Sequence, residues 1–266
     1  RINNILFAHI EGGEVSGTID ESIRHSVTKL AHIHLVANED AKTRLIQLGE
    51  FHSSIFILGS PDLDLMNPAH LPQIDIVKEY YNIDFEEYAV AMYHPVTTEQ
   101  DHIAADAKCF VDALIDSETN YVVIYPNNDL GSLDILREYQ RLEKNKKIKI
   151  FPSLRFEYFL TLLSKSKFII GNSSAGIREA PYYDVATVDI GSRQNNRMKL
   201  PSIFHSDCKR ENILRAISNA NTYVHENSLS NRNYFGEGKS DEIFFNLINS
   251  DEIWKISCQK QFQELP

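Results

Sequence analysis

The stretch Phe168-Ile169-Ile170-Gly171-Asn172-Ser173-Ser174-Ala175-Gly176-Ile177-Arg178-Glu179 decides the fold. Its first three residues form an apolar run that reads as a buried strand. The Gly, Asn, Ser and Ala residues that follow are small enough to let a ligand touch the backbone, and the segment after them reads as a helix. A helix that begins at such a loop presents unpaired N–H groups and the positive end of its dipole, both of which favour a phosphate. Ser173 and Ser174 add hydroxyl donors, and Glu179 stands about one turn further on, where a carboxylate can accept from ribose hydroxyls. Plain Ser/Gly connections of this kind also occur, so the stretch on its own leaves a nucleotide site and an ordinary strand–helix turn both open.

Outward from that turn the chain alternates short apolar runs with amphipathic stretches, the mark of an α/β protein with parallel sheets. Towards the N-terminus the pattern predicts strands at Ile5–His9, His32–Ala37 and Ser54–Leu58. Between them it predicts helices over Glu21–Leu30, with Asp20 as N-cap, and over Asp40–Leu48. Pro61–Gln73, rich in Pro, Asp and Asn, reads as the start of a connection. Further on come strands at Tyr88–Tyr93, Tyr121–Tyr125, Ile148–Phe151, Lys167–Ile170 and Ala186–Ile190. Helices are predicted over His102–Ile115, Leu133–Leu142, Tyr158–Leu163, Glu211–Asn219 and Glu242–Trp254. The basic run Lys144–Lys147 reads as a solvated helix end. The expected organisation is two Rossmann-like lobes. Residues 1–66 are the later part of a first, incomplete lobe, 67–87 a connection, and 88–266 a second lobe ending in helices.

Composition narrows the function. The 266 residues are 42% hydrophobic and 24% charged, ordinary for a globular chain with a real core. No run approaches the roughly 18 apolar residues of a membrane span, so no membrane partner is expected. The three cysteines, Cys109, Cys208 and Cys258, are scattered and lack metal or redox spacing. They fit a reducing compartment and a cytoplasmic protein. The histidines other than His9 and His94 show no metal-ligand constellation, and neither a metal nor another cofactor is expected. A net charge of −10 argues against nucleic acid, whereas an anionic nucleotide needs only a local positive pocket.

Four further motifs stand in order around the Ser loop: HIEGGEVSGTIDESIRHS at His9–Ser26, YHPVTT at Tyr93–Thr98, YPNNDLGS at Tyr125–Ser132 and DIGSRQ at Asp189–Gln194. Together they resemble the UDP-N-acetylglucosamine 2-epimerases from the first residues to about Leu214. The block beginning at His9 is similar to the hydrolysing branch, which feeds sialic acid synthesis. The non-hydrolysing branch carries an EAGLR-type sequence where this chain reads Glu11-Gly12-Gly13-Glu14-Val15. The resemblance implies the two-lobed arrangement of many UDP-sugar glycosyltransferases, with a homodimer or homotetramer as the assembly. It also implies about a hundred residues ahead of this block, on the order of half a Rossmann-like domain. With Arg1 rather than Met at the start, a fragment or processed form of a longer chain is expected.

By residue types alone, Glu11, Glu14, Asp20 and Arg24 form a polar loop with a helix cap and a surface arginine. Gly12 and Gly13 permit a sharp turn just past a strand end, a position that faces the crevice in α/β folds. The resemblance assigns Glu11, Asp20, Arg24, Asp64 and His94 to catalysis, and it makes UDP-N-acetylglucosamine and UDP the bound partners. The implied reaction eliminates UDP to give a 2-acetamidoglucal, then adds water to release N-acetylmannosamine. It calls for a general base at C2 and a proton donor at the opposite face, each worth roughly 10²–10⁴-fold. Carboxylates clustered near each other raise one another's pKa and so divide acid from base. His94, Ser173, Ser174 and Arg193 are the candidates for the departing diphosphate, Glu179 for the ribose hydroxyls, and Asn127 for phosphate or sugar. The same reaction on UDP-diacetylbacillosamine, a two-lobed UDP-sugar glycosyltransferase, and a non-catalytic UDP-sugar binding fragment are the alternative readings.

Overall fold

A computed structural model describes residues 5–15, 19–195, 200–223 and 234–264. The chain folds into two compact units, Arg1–Asn67 with Arg232–Pro266, and Pro68–Asn231.

In the first unit three parallel strands, β1 (Ala8–Ile10), β2 (Ile33–Val36) and β3 (Ile55–Ile57), lie side by side in chain order. Register pairs His9 with His34 and Leu35 with Phe56. Helix α1 (Ile19–Leu30) joins β1 to β2, and α2 (Glu39–Gln47) leads from β2 towards β3. Asn38 caps α2 by accepting from the Ala41 N–H at 2.9 Å. The predicted strands and helices are therefore present, with ends displaced by a few residues. Asp20 lies inside the first turn of α1 rather than at its cap, where its charge still favours the helix N-terminus.

The second unit carries six parallel strands: β4 (Ala89–Met92), β5 (Tyr121–Ile124), β6 (Ile148–Phe151), β7 (Phe168–Gly171), β8 (Ala186–Ile190) and β9 (Ile203–Ser206). Their spatial order is β6-β5-β4-β7-β8-β9. This is the doubly wound order, in which the chain reverses direction across the sheet between β4 and β7. Helices α3 (Ile74–Tyr80), α4 (Ile103–Asp116), α5 (Ser132–Tyr139), α6 (Phe156–Ser164) and α8 (Arg210–Asn221), with the four-residue α7 (Glu179–Tyr182), accompany these strands among the described residues. Phe110 and Leu114 of α4, Ile135 of α5 and Ile213 and Ile217 of α8 pack with Ala91, Val123, Ile170 and Val188 of the sheet into one buried core. Each such side chain contributes roughly 1.5–3 kcal/mol by leaving water.

Three differences from the sequence reading stand out. Helix α3 forms inside the expected connection, with Val77 as its buried residue. Strand β9 is an additional edge strand, its Ile-Phe-His-Ser sequence too polar to read as an apolar run. The third concerns the C-terminal segment, which packs with the first unit rather than the second. Ile253, with Leu247 of helix α9 (Ser240–Ile248) and Ile256, covers Ile33, Leu35 and Leu58. Residues 68–87 likewise join the second unit. A three-stranded sheet needs an apolar cover on its face, and this cover arrives some two hundred residues later in the chain.

Candidate functional site

Nucleotides bind outside the carboxyl ends of parallel strands where the strand order reverses, and in the second unit this point lies between β4 and β7. His94 follows β4 within two residues and Asn172 follows β7 directly. Gly171 allows the two strands to part there. Its φ is +135°, and a Cβ on it would stand 1.9 Å from the Met92 carbonyl oxygen, so only glycine fits.

Asn172 is buried and ties the loops together. Its Oδ1 accepts from the His94 N–H at 2.7 Å, and its Nδ2 donates to the His94 carbonyl at 2.8 Å. Its own carbonyl accepts from Arg193 Nη1 at 3.0 Å and from Gln194 Nε2 at 2.7 Å. Asn127, after β5, donates its N–H to His94 Nδ1 at 3.0 Å. Ser192 Oγ donates to Glu99, so the loops after β8 and β4 are joined a second time. Thus His94, Asn127 and Arg193 meet in one assembly, which adds Asn172 and Gln194, two residues the sequence reading did not single out. Asn172 lay within the quoted stretch, and its type was the available signal.

Burial lowers the His94 pKa to about 4, the nearby Arg193 charge lowers it further, and Asp129 opposes the shift. The ring is therefore neutral at pH 7. Because Nδ1 accepts a hydrogen bond, the proton resides on Nε2, and His94 presents a neutral N–H donor rather than a base.

The Ser loop departs from expectation. Ser173 caps a short 3₁₀ turn, Ser174–Gly176, by accepting from the Ala175 N–H, and α7 that follows has only four residues. Gly176 sits against the Thr187 side chain, and Pro181 lacks an N–H. Together they prevent one long helix. The loop therefore offers the Ser173 and Ser174 hydroxyls with little macrodipole behind them, because the N–H groups of Ala175, Gly176, Ile177 and Arg178 are taken by Ser173 and Ser174. Glu179 opens α7 in a half-buried position and helps raise the Tyr183 phenol above its ordinary range, an effect led by burial of that ring.

The first unit holds the carboxylate loop. Glu11 lies just past β1 with φ +60°, a left-handed conformation uncommon for a residue with a Cβ. Its N–H donates to the Leu35 carbonyl at 2.8 Å, and Ser60 Oγ donates to its Oε1 at 2.5 Å. Arg24 Nη1 donates to the Glu14 carbonyl and Arg44 Nη1 to the Gly13 carbonyl, each at 3.1 Å, which fastens the turn from two helices. Gly13 has φ +77°, and a Cβ there would meet the Ala41 carbonyl at 2.3 Å. His9, bonded to Thr28 Oγ1 at 3.1 Å, has its pKa lowered to about 4 by burial, with smaller contributions from His34, Arg24 and Lys260. Asp20 is exposed on the first turn of α1.

Asp64 is employed elsewhere. Its Oδ1 accepts from the Ser240 N–H at 2.9 Å, and its Oδ2 accepts from Ser240 Oγ at 2.6 Å and the Asp241 N–H at 3.1 Å. The carboxylate thus caps α9 with both of its oxygens. Ser60 was also missed by the sequence reading. Its N–H donates to the Phe235 carbonyl at 2.6 Å, so the partner of Glu11 is held from the C-terminal segment. Among the described residues no group of three or more His, Cys, Asp or Glu is placed to hold a metal ion, and no helix is long and apolar enough to cross a membrane.

Comparison with known proteins bears on the same residues. The sequence profile of the UDP-N-acetylglucosamine 2-epimerase family matches residues 1–249. A UDP-N-acetylglucosamine 2-epimerase of Neisseria meningitidis serogroup B is 49% identical over 264 residues, which cover 99% of this chain and 70% of the relative. A hydrolysing UDP-N,N'-diacetylbacillosamine 2-epimerase of Legionella pneumophila is 32% identical, covering 93% of this chain and 65% of the relative. The fold matches that of the Methanocaldococcus jannaschii UDP-GlcNAc 2-epimerase solved with UDP-GlcNAc and UDP. There the TM-score is 0.73 at 20% identity, over 93% of this chain and 70% of that one.

Proposed function

This chain belongs to the UDP-N-acetylglucosamine 2-epimerase family, and from that premise we propose that the protein containing it performs the hydrolysing reaction, giving N-acetylmannosamine and UDP. The observation that carries the reading is the His94–Asn172–Arg193 assembly at the reversal of strand order, where a nucleotide diphosphate is expected. The hydrolysing form is favoured by the Glu11-Gly12-Gly13-Glu14 sequence and by the likeness to the Legionella relative, which is named as a hydrolysing enzyme.

In this reading the second unit receives the nucleotide. Arg193, the Nε2–H of His94 and the hydroxyls of Ser173 and Ser174 bind the diphosphate, with Asn127 beside them, and Glu179 accepts from the ribose hydroxyls. Glu11 of the first unit is assigned to proton transfer at C2, with Arg24 and Asp20 in support. A base removes the C2 proton, the C2–H electron pair forms the C1–C2 double bond, and the C1–O bond breaks so that UDP leaves with its electrons. Charge grows on the β-phosphate at that step, and fixed donors aimed at it lower the barrier. Water then supplies a hydroxyl to C1 and a proton reaches C2 from the opposite face, closing the balance. Asp64 is left out of the proton-transfer set because both its oxygens cap α9.

Incubation with UDP-N-acetylglucosamine and assay of both products tests the proposal. Free UDP and N-acetylmannosamine in equal amounts are expected. UDP-N-acetylmannosamine with the nucleotide still attached would place the protein in the non-hydrolysing branch. Faster turnover of UDP-diacetylbacillosamine would replace the substrate, and binding without turnover would leave a UDP-sugar binding fragment.

A further inference from the structure

Asn172 makes more directed bonds than its place in a loop requires. Its side-chain amide does not support its own strand. Instead it takes both backbone polar groups of one neighbour, His94, across the reversal point. Its carbonyl is saturated by two side-chain donors from the loop after β8, Arg193 and Gln194. The orientation of Gln194 follows: its amide N must face the Asn172 carbonyl, which leaves Gln194 Oε1 buried without a donor.

We propose that Asn172 is a positioning residue for diphosphate binding, holding the Nε2–H of His94 and the guanidinium of Arg193 in one fixed frame before the ligand arrives. The inference rests on the assignment of the nucleotide to the second unit. The residue type follows from the chemistry. The clamp needs one acceptor and one donor at the end of a single methylene, inside a buried site. Serine falls short of this reach and glutamine exceeds it, while an ionised aspartate would set an acceptor against the His94 carbonyl. With the His94 backbone clamped and its Nδ1 bonded to the Asn127 N–H, the direction of the Nε2–H is set. Donors fixed in this way need no reordering on binding.

The test is titration of the chain with UDP and, separately, with uridine, followed by NMR, for wild type, Asn172→Ala and Asn172→Ser. Both variants are neutral, so neither adds repulsion towards the phosphates. Loss of one buried partner predicts an affinity for UDP weaker by about tenfold or more. Uridine affinity should change little, because the nucleoside does not use His94 or Arg193. The His94 ring nitrogens should shift from a single Nε2–H form in wild type to a mixture in Asn172→Ala.

A wild type that binds UDP no better than uridine would overturn the nucleotide assignment itself. A wild type that prefers UDP, with variants that keep the preference and the single His94 form, would overturn only the role of Asn172. Equal losses for both ligands, or loss of the fold in both variants, would mean that Asn172 is structural and would also overturn it.

Discussion

The two loops proposed to carry the chemistry follow parallel strands in different units, and they are held in different ways. In the second unit the His94 and Ser loops are fastened by immediate neighbours across the reversal point, with Asn172 at the centre. In the first unit Glu11 is fastened by Ser60, and Ser60 by Phe235 of the C-terminal segment, 175 residues further along the chain. Gly59 and Gly236 come close enough there that a Cβ on Gly236 would meet the Gly59 Cα at 2.8 Å. A diphosphate needs several donors fixed on rigid strand ends, which one sheet can supply. Proton transfer at C2 needs a carboxylate held in one place, and here part of that hold reaches Glu11 from far along the chain.

The largest expected effect separates these duties. Glu11→Gln keeps size and hydrogen-bonding reach but cannot transfer a proton. Release of N-acetylmannosamine should fall by roughly 10²-fold or more, with UDP affinity nearly unchanged. Near-normal turnover would return Glu11 to a polar loop residue and end the contrast between the loops.

The second effect lies in the other unit. Gly171→Ala drives a Cβ into the Met92 carbonyl at a backbone angle unfavourable for alanine. A cost of about 4 kcal/mol is expected from overpacking and left-handed strain together. Hydrogen exchange should show β4 and β7 losing protection while the strands of the first unit keep theirs. Equal loss in both units would contradict their separate cohesion.

The contrast was unevenly legible in the sequence. The buried strand Ala186–Ile190 and the edge strand Ile148–Phe151, where only Ile148 is buried, were both placed to the residue. The strand before the Ser loop was legible from its Phe-Ile-Ile run, one residue displaced from the observed Phe168–Gly171. What escaped was set at long range. The capping of α9 by Asp64 joins residues 176 apart, and nothing local in Ser-Pro-Asp-Leu-Asp tells a cap from a catalytic acid. The partition of the C-terminal segment depends on which sheet lacks a cover, a property of the folded units. Asn172 was visible as a residue type, but its bonds to His94 and its acceptance from Arg193 needed the strand order. The short helical turns after Ser173 show the opposite failure, a local helix signal overridden by the packing of Gly176 on Thr187.

The third effect tests the C-terminal segment. Glu50 is almost fully buried, and its oxygens receive Lys29 at 2.9 Å, His34 at 3.0 Å and Lys260 at 2.5 Å. Burial pushes its carboxyl up, but the bonds from His34, Lys260 and Lys29 outweigh this and hold it at about 2. Lys260→Met leaves the carboxylate with two partners and should lower stability of the first unit by about 3 kcal/mol. The strands β1–β3 should lose exchange protection, and UDP affinity should hold. Weakened protection in the second unit would assign the segment there instead.

The smallest effect concerns acid, where the two units behave alike. His94 and His9 each have a folded pKa of about 4 against an ordinary value near 6.5. A depressed histidine pKa means that the unfolded chain binds the proton more readily. Each contribution is therefore complete above pH 6.5, declines as the pH falls towards 4, and levels off below it. Discounted for partial exposure, each amounts to about 2 kcal/mol over that window. His94→Gln should flatten the decline in the second unit and leave that of the first, followed by hydrogen exchange at pH 7, 5.5 and 4.5. An unaltered decline in the second unit would mean that another group carries its acid sensitivity, and that the His94 ring does not hold the neutral state from which its donor role was derived.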